Sequence, residues 1–187
     1  MYTPNAGELA LITGAGTGIG RAIAIRFSEL GASVIVTDIN LESAAETAGL
    51  LVNPTGSQVH EALALDVTKK SEAEKVMAYV RDKYGVLNIL MNNAGVSTMQ
   101  WLENLTEEEW DFNFNVNIKG MFLVTQAALP LMKEKGGRIV NTASMAAVKA
   151  APLLVHYSAS KFAVVGFTKA AAIELAPYNI TVNCICP

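Results

Sequence analysis

Short apolar runs, several rich in β-branched residues, recur along this chain. Between each run and the next stands a segment long enough for a helix, and this alternation limits the fold more than any other feature. Glu8 to Thr13, Ser33 to Thr37, Val59 to Leu65, Leu87 to Met91, Arg138 to Thr142 and Ile180 to Ile185 read as strands. Ser33 to Thr37 is apolar throughout its interior, as expected of a strand buried on both faces. The intervening segments carry helix signals. Arg21 to Leu30 closes on Gly31, Leu41 to about Val52 follows the capping Asn40, and Ser71 with Glu74 makes a capping box for a helix ending at Tyr84 and Gly85. Thr106 with Glu109 makes a second box, opening a long helix to about Lys133 whose last turn Pro130 bends. An Ala-rich apolar helix starts near Tyr157 and runs through Phe162 to Leu175, where Pro177 stops it. Strands joined by helical crossovers lie parallel, with helices on both faces. The pattern therefore predicts a doubly wound parallel sheet in three α/β/α layers, with residues 1–187 forming a single domain.

The strand ends are where chemistry is expected, because open α/β sheets bind ligands outside the carboxyl ends of their strands. Asp38, Asp66, Asn92-Asn93 and Thr142-Ala143-Ser144 all fall at or just past predicted strand ends. Between the first strand and the first helix runs Thr13-Gly14-Ala15-Gly16-Thr17-Gly18-Ile19-Gly20. Its spacing is G-x-x-x-G-x-G rather than G-x-G-x-x-G, but the physics is shared. Glycines let the backbone turn sharply and approach a pyrophosphate, and the helix start offers unpaired N–H groups and a positive dipole end. Asp38 ends the second strand, where a carboxylate would accept from a ribose 2′-hydroxyl and repel a 2′-phosphate. Thr17 brings no cation to offset that repulsion. Both features point to NAD rather than NADP.

Tyr157 and Lys161 are four apart on the predicted helix, so their polar ends share one face. A phenol titrates near 10, and an ammonium beside it favours the phenolate. The pair would make an acid/base usable near neutral pH. His156 precedes Tyr157 and faces about 100° away on a helix, so it reads as a pocket-rim or structural residue rather than the base.

Composition removes other classes. The net charge is −3 with no basic stripe, which leaves nucleic acid no electrostatic footprint. No apolar run approaches a membrane span, and Met1 to Asn5 lacks a secretory layout. Cys184 and Cys186 lie on one face of the last strand. Without a second Cys or His cluster they read as buried, inert thiols rather than a metal or redox site. No metal is expected, and a reducing cytoplasm is the expected location.

With these residues assembled, the chain resembles the short-chain dehydrogenase/reductase family from Glu8 to Pro187. Thr13-Gly14-x-x-x-Gly18-Ile19-Gly20 matches its cofactor loop, Asp66-Val67 its adenine-pocket pair, and Asn92-Asn93-Ala94-Gly95 its sheet-steadying NNAG motif. Asn117 matches its active-site Asn, Ser144 stands at the family spacing from Tyr157, and Tyr157-x-x-x-Lys161 is its catalytic pair. The resemblance implies a Rossmann-like fold with Asn117, Ser144, Tyr157 and Lys161 as catalytic residues. It implies a cofactor site built from Gly14, Thr17, Gly18, Ile19, Gly20, Asp38, Asp66, Val67, Asn93, Ala94, Gly95, Tyr157, Lys161 and Pro187. Ser144 would bond the substrate oxygen, Tyr157 would move the proton, and Lys161 would lower the Tyr157 pKa and bind the nicotinamide ribose. Asn117 would help hold a water that relays protons. Family members usually continue well past Pro187 with a substrate-covering segment and a final strand, so a longer protein is expected.

The expected activity is NAD-dependent hydride exchange with a secondary alcohol or ketone. The stretches Tyr157 to Val164 and Ile180 to Pro187 look most like members acting on small diols, polyols or sugars. An NADPH-linked 3-oxoacyl carrier-protein reductase is the alternative that Asp38 argues against. A non-catalytic nucleotide-binding scaffold is the alternative that the intact Ser144, Tyr157, Lys161 and Asn117 argue against. The apolar circumference of the Tyr157 helix points to a second subunit, in a homodimer or homotetramer. Trp101 and Trp110 read as packing or pocket wall, and Met91, Met121 and Met132 as core.

Overall fold

The computed structural model describes residues 5–187. Met1 to Pro4, most of the segment read above for a secretory layout, lies outside the described residues. The elements in order are β1 (Leu9–Thr13), α1 (Gly18–Glu29), β2 (Ser33–Asp38), α2 (Leu41–Gly49), β3 (His60–Ala64), α3 (Lys70–Tyr84) and β4 (Ile89–Asn92). They continue with α4 (Glu107–Phe114), a π-helical turn (Asn115–Gly120), α5 (Met121–Met132), β5 (Gly137–Thr142), α6 (Val155–Leu175) and β6 (Ile180–Ile185). All strands pair in parallel in the order β3-β2-β1-β4-β5-β6. The doubly wound parallel sheet expected from the alternation is therefore present, in the Rossmann-like form that the resemblance implies. The order reverses between β1 and β4, and the crevice at such a reversal is where these sheets bind ligands.

Side chains alternate across the central strands with period two. Leu11 and Ile35 pack with α3 and α5, through Val76, Met77, Val80, Val124 and Ala128. Ile12, Val34 and Val36 pack on the other face with Ala24 of α1 and Ala44 of α2. Met91, Met121 and Met132 are buried.

Several boundaries differ from expectation. The first helix begins at Gly18, not Arg21, because the glycine loop itself supplies the first turn. The second ends at Gly49 rather than near Val52. The Ser71–Glu74 capping box does not form. The helix starts two residues earlier, after Lys69, with no side-chain cap, and Glu72 turns back to accept the Asp66 N–H at 2.7 Å. The Thr106–Glu109 box is present with both reciprocal bonds. The long helix that follows is not regular: Asn115–Gly120 widens into a π turn before α5 continues through Pro130. Two contacts accompany the widening. Gly120 lies so close to Val67 that a β-carbon there would stand 2.7 Å from Val67 Cγ2, and Asn117 grips Val96.

Candidate active site

A cleft of about 670 Å³ opens along the carboxyl ends of the strands. The structure brings Gly14, Thr17, Gly18, Ile19, Asp38, Asp66, Val67, Asn93, Ala94, Gly95, Ser144, Tyr157, Lys161 and Pro187 to its walls. Two expected residues stand behind the wall. Gly20 lets α1 approach the sheet, since a β-carbon there would meet Asn93 Nδ2 at 2.6 Å. Asn117 is buried beside the cleft.

The phosphate end is built from backbone. Gly14 and Gly18 have φ of +60° and +55°, a conformation that favours glycine. A β-carbon on Gly14 would also lie 2.7 Å from Ala94 Cα, whereas Gly18 faces open space. Thr17 precedes α1 without a side-chain capping bond. The leading N–H groups of α1 are thus left for an anion in the cleft. Arg21 reaches this loop from α1, but its donors go to Gly16 O, Thr47 Oγ1 and Glu46. It braces the loop and is neutralised by Glu46, so it offers little to an added phosphate.

Asp38 is held by two backbone amides. Oδ2 accepts from Gly16 N at 2.9 Å and Oδ1 from Asn40 N at 3.0 Å. Each carboxylate oxygen keeps a lone pair for a ribose hydroxyl. Asp66 is fixed by Thr68, whose N–H and hydroxyl both donate to Oδ1, leaving Oδ2 for a ligand. Asn93 ties β4 to the glycine loop through Nδ2 bonds to Thr13 O and Gly14 O. Free N–H groups at a glycine turn and a fixed carboxylate one strand away fit a dinucleotide without rearrangement.

The reacting end lies across β4 and β5. Lys161 Nζ sits 5.7 Å from the Tyr157 ring centre and donates to Thr142 O at 2.8 Å. It is only 4 % exposed and has no carboxylate partner among the described residues, and burial brings its pKa down from 10.5 to about 8. Gly95 clears space for it, since a β-carbon there would stand 3.3 Å from Nζ. Ser144 Oγ accepts from Ala146 N at 3.1 Å, so its own hydrogen is free for a substrate oxygen. Asn117 spends both amide hydrogens, on Val96 O and Ser160 Oγ, and accepts from Val96 N. Its side chain holds the loop after β4 rather than facing the cleft. Ser160 in turn donates to Tyr157 O, so Asn117 is linked to the backbone of Tyr157.

Of the two readings of His156, rim or structural, the structure supports the second: it is fully buried, with Nε2 2.6 Å from Thr98 Oγ1. Trp110 packs as expected, stacked on Phe114 at 4.7 Å, whereas Trp101 is 57 % exposed, and neither lines the cleft. The pocket wall instead includes Phe112, Val116 and Val96, which no local motif marked. Cys184 and Cys186 are half-buried thiols packed against the cluster of Met121, Ala143 and Val164. Burial, and then the neighbouring Cys186, push the Cys184 thiol up.

The family model for short chain dehydrogenases matches residues 8–187. Among curated proteins, an NAD-dependent glycerol dehydrogenase of Listeria innocua is 44 % identical over 181 residues, 96 % of this chain and 69 % of the relative. A 3-oxoacyl-acyl-carrier-protein reductase of Thermotoga maritima is 41 % identical over 97 % of this chain and 73 % of its own length. A solved short chain dehydrogenase from Mycobacterium smegmatis superposes with a TM-score of 0.93 at 33 % identity, covering 99 % of this chain and 78 % of that one.

Proposed function

Because the chain belongs to the short-chain dehydrogenase family, whose named relatives are dehydrogenases of CH–OH groups or reductases of the matching carbonyls, we propose that it is an NAD(H)-dependent oxidoreductase of secondary alcohols and ketones. The observation that carries this reading is Lys161, buried without a carboxylate partner among the described residues and aimed with Tyr157 into the cleft that holds Asp38 and the glycine loop. Bound nicotinamide would accept or supply the hydride. This chain's own residues would do the rest. Ser144 would donate its free hydrogen to the substrate oxygen. Tyr157 would take the alcohol proton or return it to a carbonyl, helped by the Lys161 charge. Asn117 would hold Val96 and, through Ser160, the backbone of Tyr157. Asp38, with Arg21 already neutralised, supports NAD over NADP.

Small diols, polyols or sugars are the substrate class we favour, supported by the glycerol dehydrogenase and by a D-threitol dehydrogenase of Mycolicibacterium smegmatis that is 39 % identical. We further place the protein in the cytoplasm as a homodimer or homotetramer joined through the outer faces of α5 and α6. The decisive measurement is steady-state turnover across a polyol and hydroxy-acid panel with each cofactor. Tyr157→Phe should lower kcat by about a thousandfold or more while cofactor affinity stays within about twofold. Full activity in Tyr157→Phe, or a clear preference for NADPH, would overturn the corresponding part of this reading.

A further inference from the structure

His156 is buried to 0 % exposure directly before the proposed acid/base. A buried histidine normally finds partners for both nitrogens. Here Nε2 lies 2.6 Å from Thr98 Oγ1, and Nδ1 has no partner among the described residues. The same Thr98 oxygen accepts from Asn113 Nδ2 at 2.9 Å, and Asn113, also fully buried, anchors that amide to Glu109 O. Three residues of three different elements therefore meet at one hydroxyl. Thr98 lies in the loop after β4, Asn113 in α4 and His156 in the first turn of α6. Buried N–H groups without an acceptor are rarer than unused lone pairs. That preference assigns the histidine hydrogen to Nε2, donating to Thr98, with Nδ1 left as the bare lone pair.

The position of this knot gives it a consequence. The loop from Asn93 to Ser97 forms one wall of the cleft. Asn117 clamps it at Val96 and passes through Ser160 to the Tyr157 carbonyl. The knot at Thr98 clamps it again, two residues on, to the residue on the other side of Tyr157. Gln100 N adds a bond to Leu153 O just ahead of α6. The wall is thus bolted to α6 on both sides of Tyr157 along the chain.

We propose that His156, acting through Thr98, is a positioning residue that sets the separation between the Val96–Thr98 wall and the Tyr157 hydroxyl, and hence the placement of the substrate oxygen. The proposal rests on the reading that Tyr157 is the acid/base. It predicts an effect on the substrate side of the cleft and none on the dinucleotide side, because the glycine loop, Asp38 and Asp66 share no bond with the knot.

The test uses His156→Leu, His156→Gln, Thr98→Val and the His156→Leu/Thr98→Val pair in the whole protein. Kinetics with the best substrate of the panel, NADH affinity by fluorescence and amide hydrogen exchange over residues 96–100 are measured for each. His156→Leu and Thr98→Val should each lower kcat/KM by about tenfold, a fraction of the roughly hundredfold that an ångström of misplacement can cost, with NADH affinity within about twofold. Glutamine can place an N–H near the same hydroxyl, so His156→Gln should recover most of the loss. The double variant should be no worse than Thr98→Val alone, since Thr98→Val already cuts the His156 connection along with the Asn113 one. Exchange over residues 96–100 should quicken in both single variants and recover in His156→Gln. Native kinetics in His156→Leu, no rescue by glutamine, additive losses or an equal loss of NADH affinity would overturn the proposal. If His156→Leu does not fold, Thr98→Val alone must show both the kinetic loss and the faster exchange. Failure of the Tyr157 reading is recognised separately, by activity in Tyr157→Phe, and the exchange measurements judge the bolt without any turnover.

Discussion

Lys161 holds a charge in a place that disfavours it. It has one backbone acceptor, Thr142 O, and no counter-ion among the described residues, and burial lowers its pKa to about 8. The sign of the linkage follows. Unfolded, the ammonium would titrate near 10.5, so between about pH 8 and 10.5 the unfolded chain binds the extra proton and stability from this group rises with pH. Below pH 8 both states are protonated and the folded state bears the whole penalty, about 3 kcal/mol for a drop of this size. Lys161→Met should therefore unfold at higher urea than the native protein at pH 7, and the gap should shrink as pH is raised to 10. A gap that stays constant with pH would show that burial of the charge is not the cause. The four-residue spacing of Tyr157 and Lys161 was legible in the sequence because helix geometry is local. The Thr142 acceptor was not, because a backbone carbonyl has no residue signature. His156 was placed correctly off the Tyr157 face but not recognised as buried, because its partners Thr98 and Asn113 lie far away in sequence.

At the scale of elements, the sheet is fastened to its helices by amides. Asn92 Nδ2 donates to Thr125 of α5 and to Asn141 Oδ1, and Asn141 Nδ2 donates to Thr168 of α6. All four residues are buried. Removing one member strands the others in an apolar setting, which costs more than a surface hydrogen bond. Asn141→Ala should lower unfolding free energy by about 3 kcal/mol, against about 1 kcal/mol for Thr106→Ala at the exposed cap of α4. Urea titrations of the two variants compare them directly, and equal losses would count against the network. The Thr106 box was readable because both bonds lie within four residues. The Ser71 box failed because Lys69 already starts the helix and Glu72 serves the Asp66 amide. The π turn could not be read from sequence, since its neighbours Val67 and Val96 come from other strand ends.

The whole molecule follows from the alternation of strands and helices, which placed every carboxyl strand end on one rim before any distance was known. What the alternation could not give is which helix faces remain uncovered. The described chain leaves Phe162 and Ile173 of α6 50 % and 79 % exposed. On a different face of α6, turned more than about 100° from Phe162 and Ile173, α5 and α6 form a shallow groove of about 250 Å³ lined by Phe122, Leu129, Phe167, Ala170 and Ala171, with Gln126 and Glu174 among its polar residues. Isolated exposed apolar residues such as Phe162 and Ile173 need no explanation, but an apolar stripe lining a groove between two adjacent helices does. A symmetric pairing of these faces would bury the groove of each copy against the other, as closed dimers do. Light scattering should therefore return two or four times the chain mass. Ala170→Glu, which puts a charge into the groove without touching the cleft, should shift the mass towards one chain and lower the melting temperature. A native mass of a single chain would remove this reading and leave the stripe for some other partner, with the catalytic proposal unaffected because the cleft opens at the strand ends rather than on the outer faces of α5 and α6.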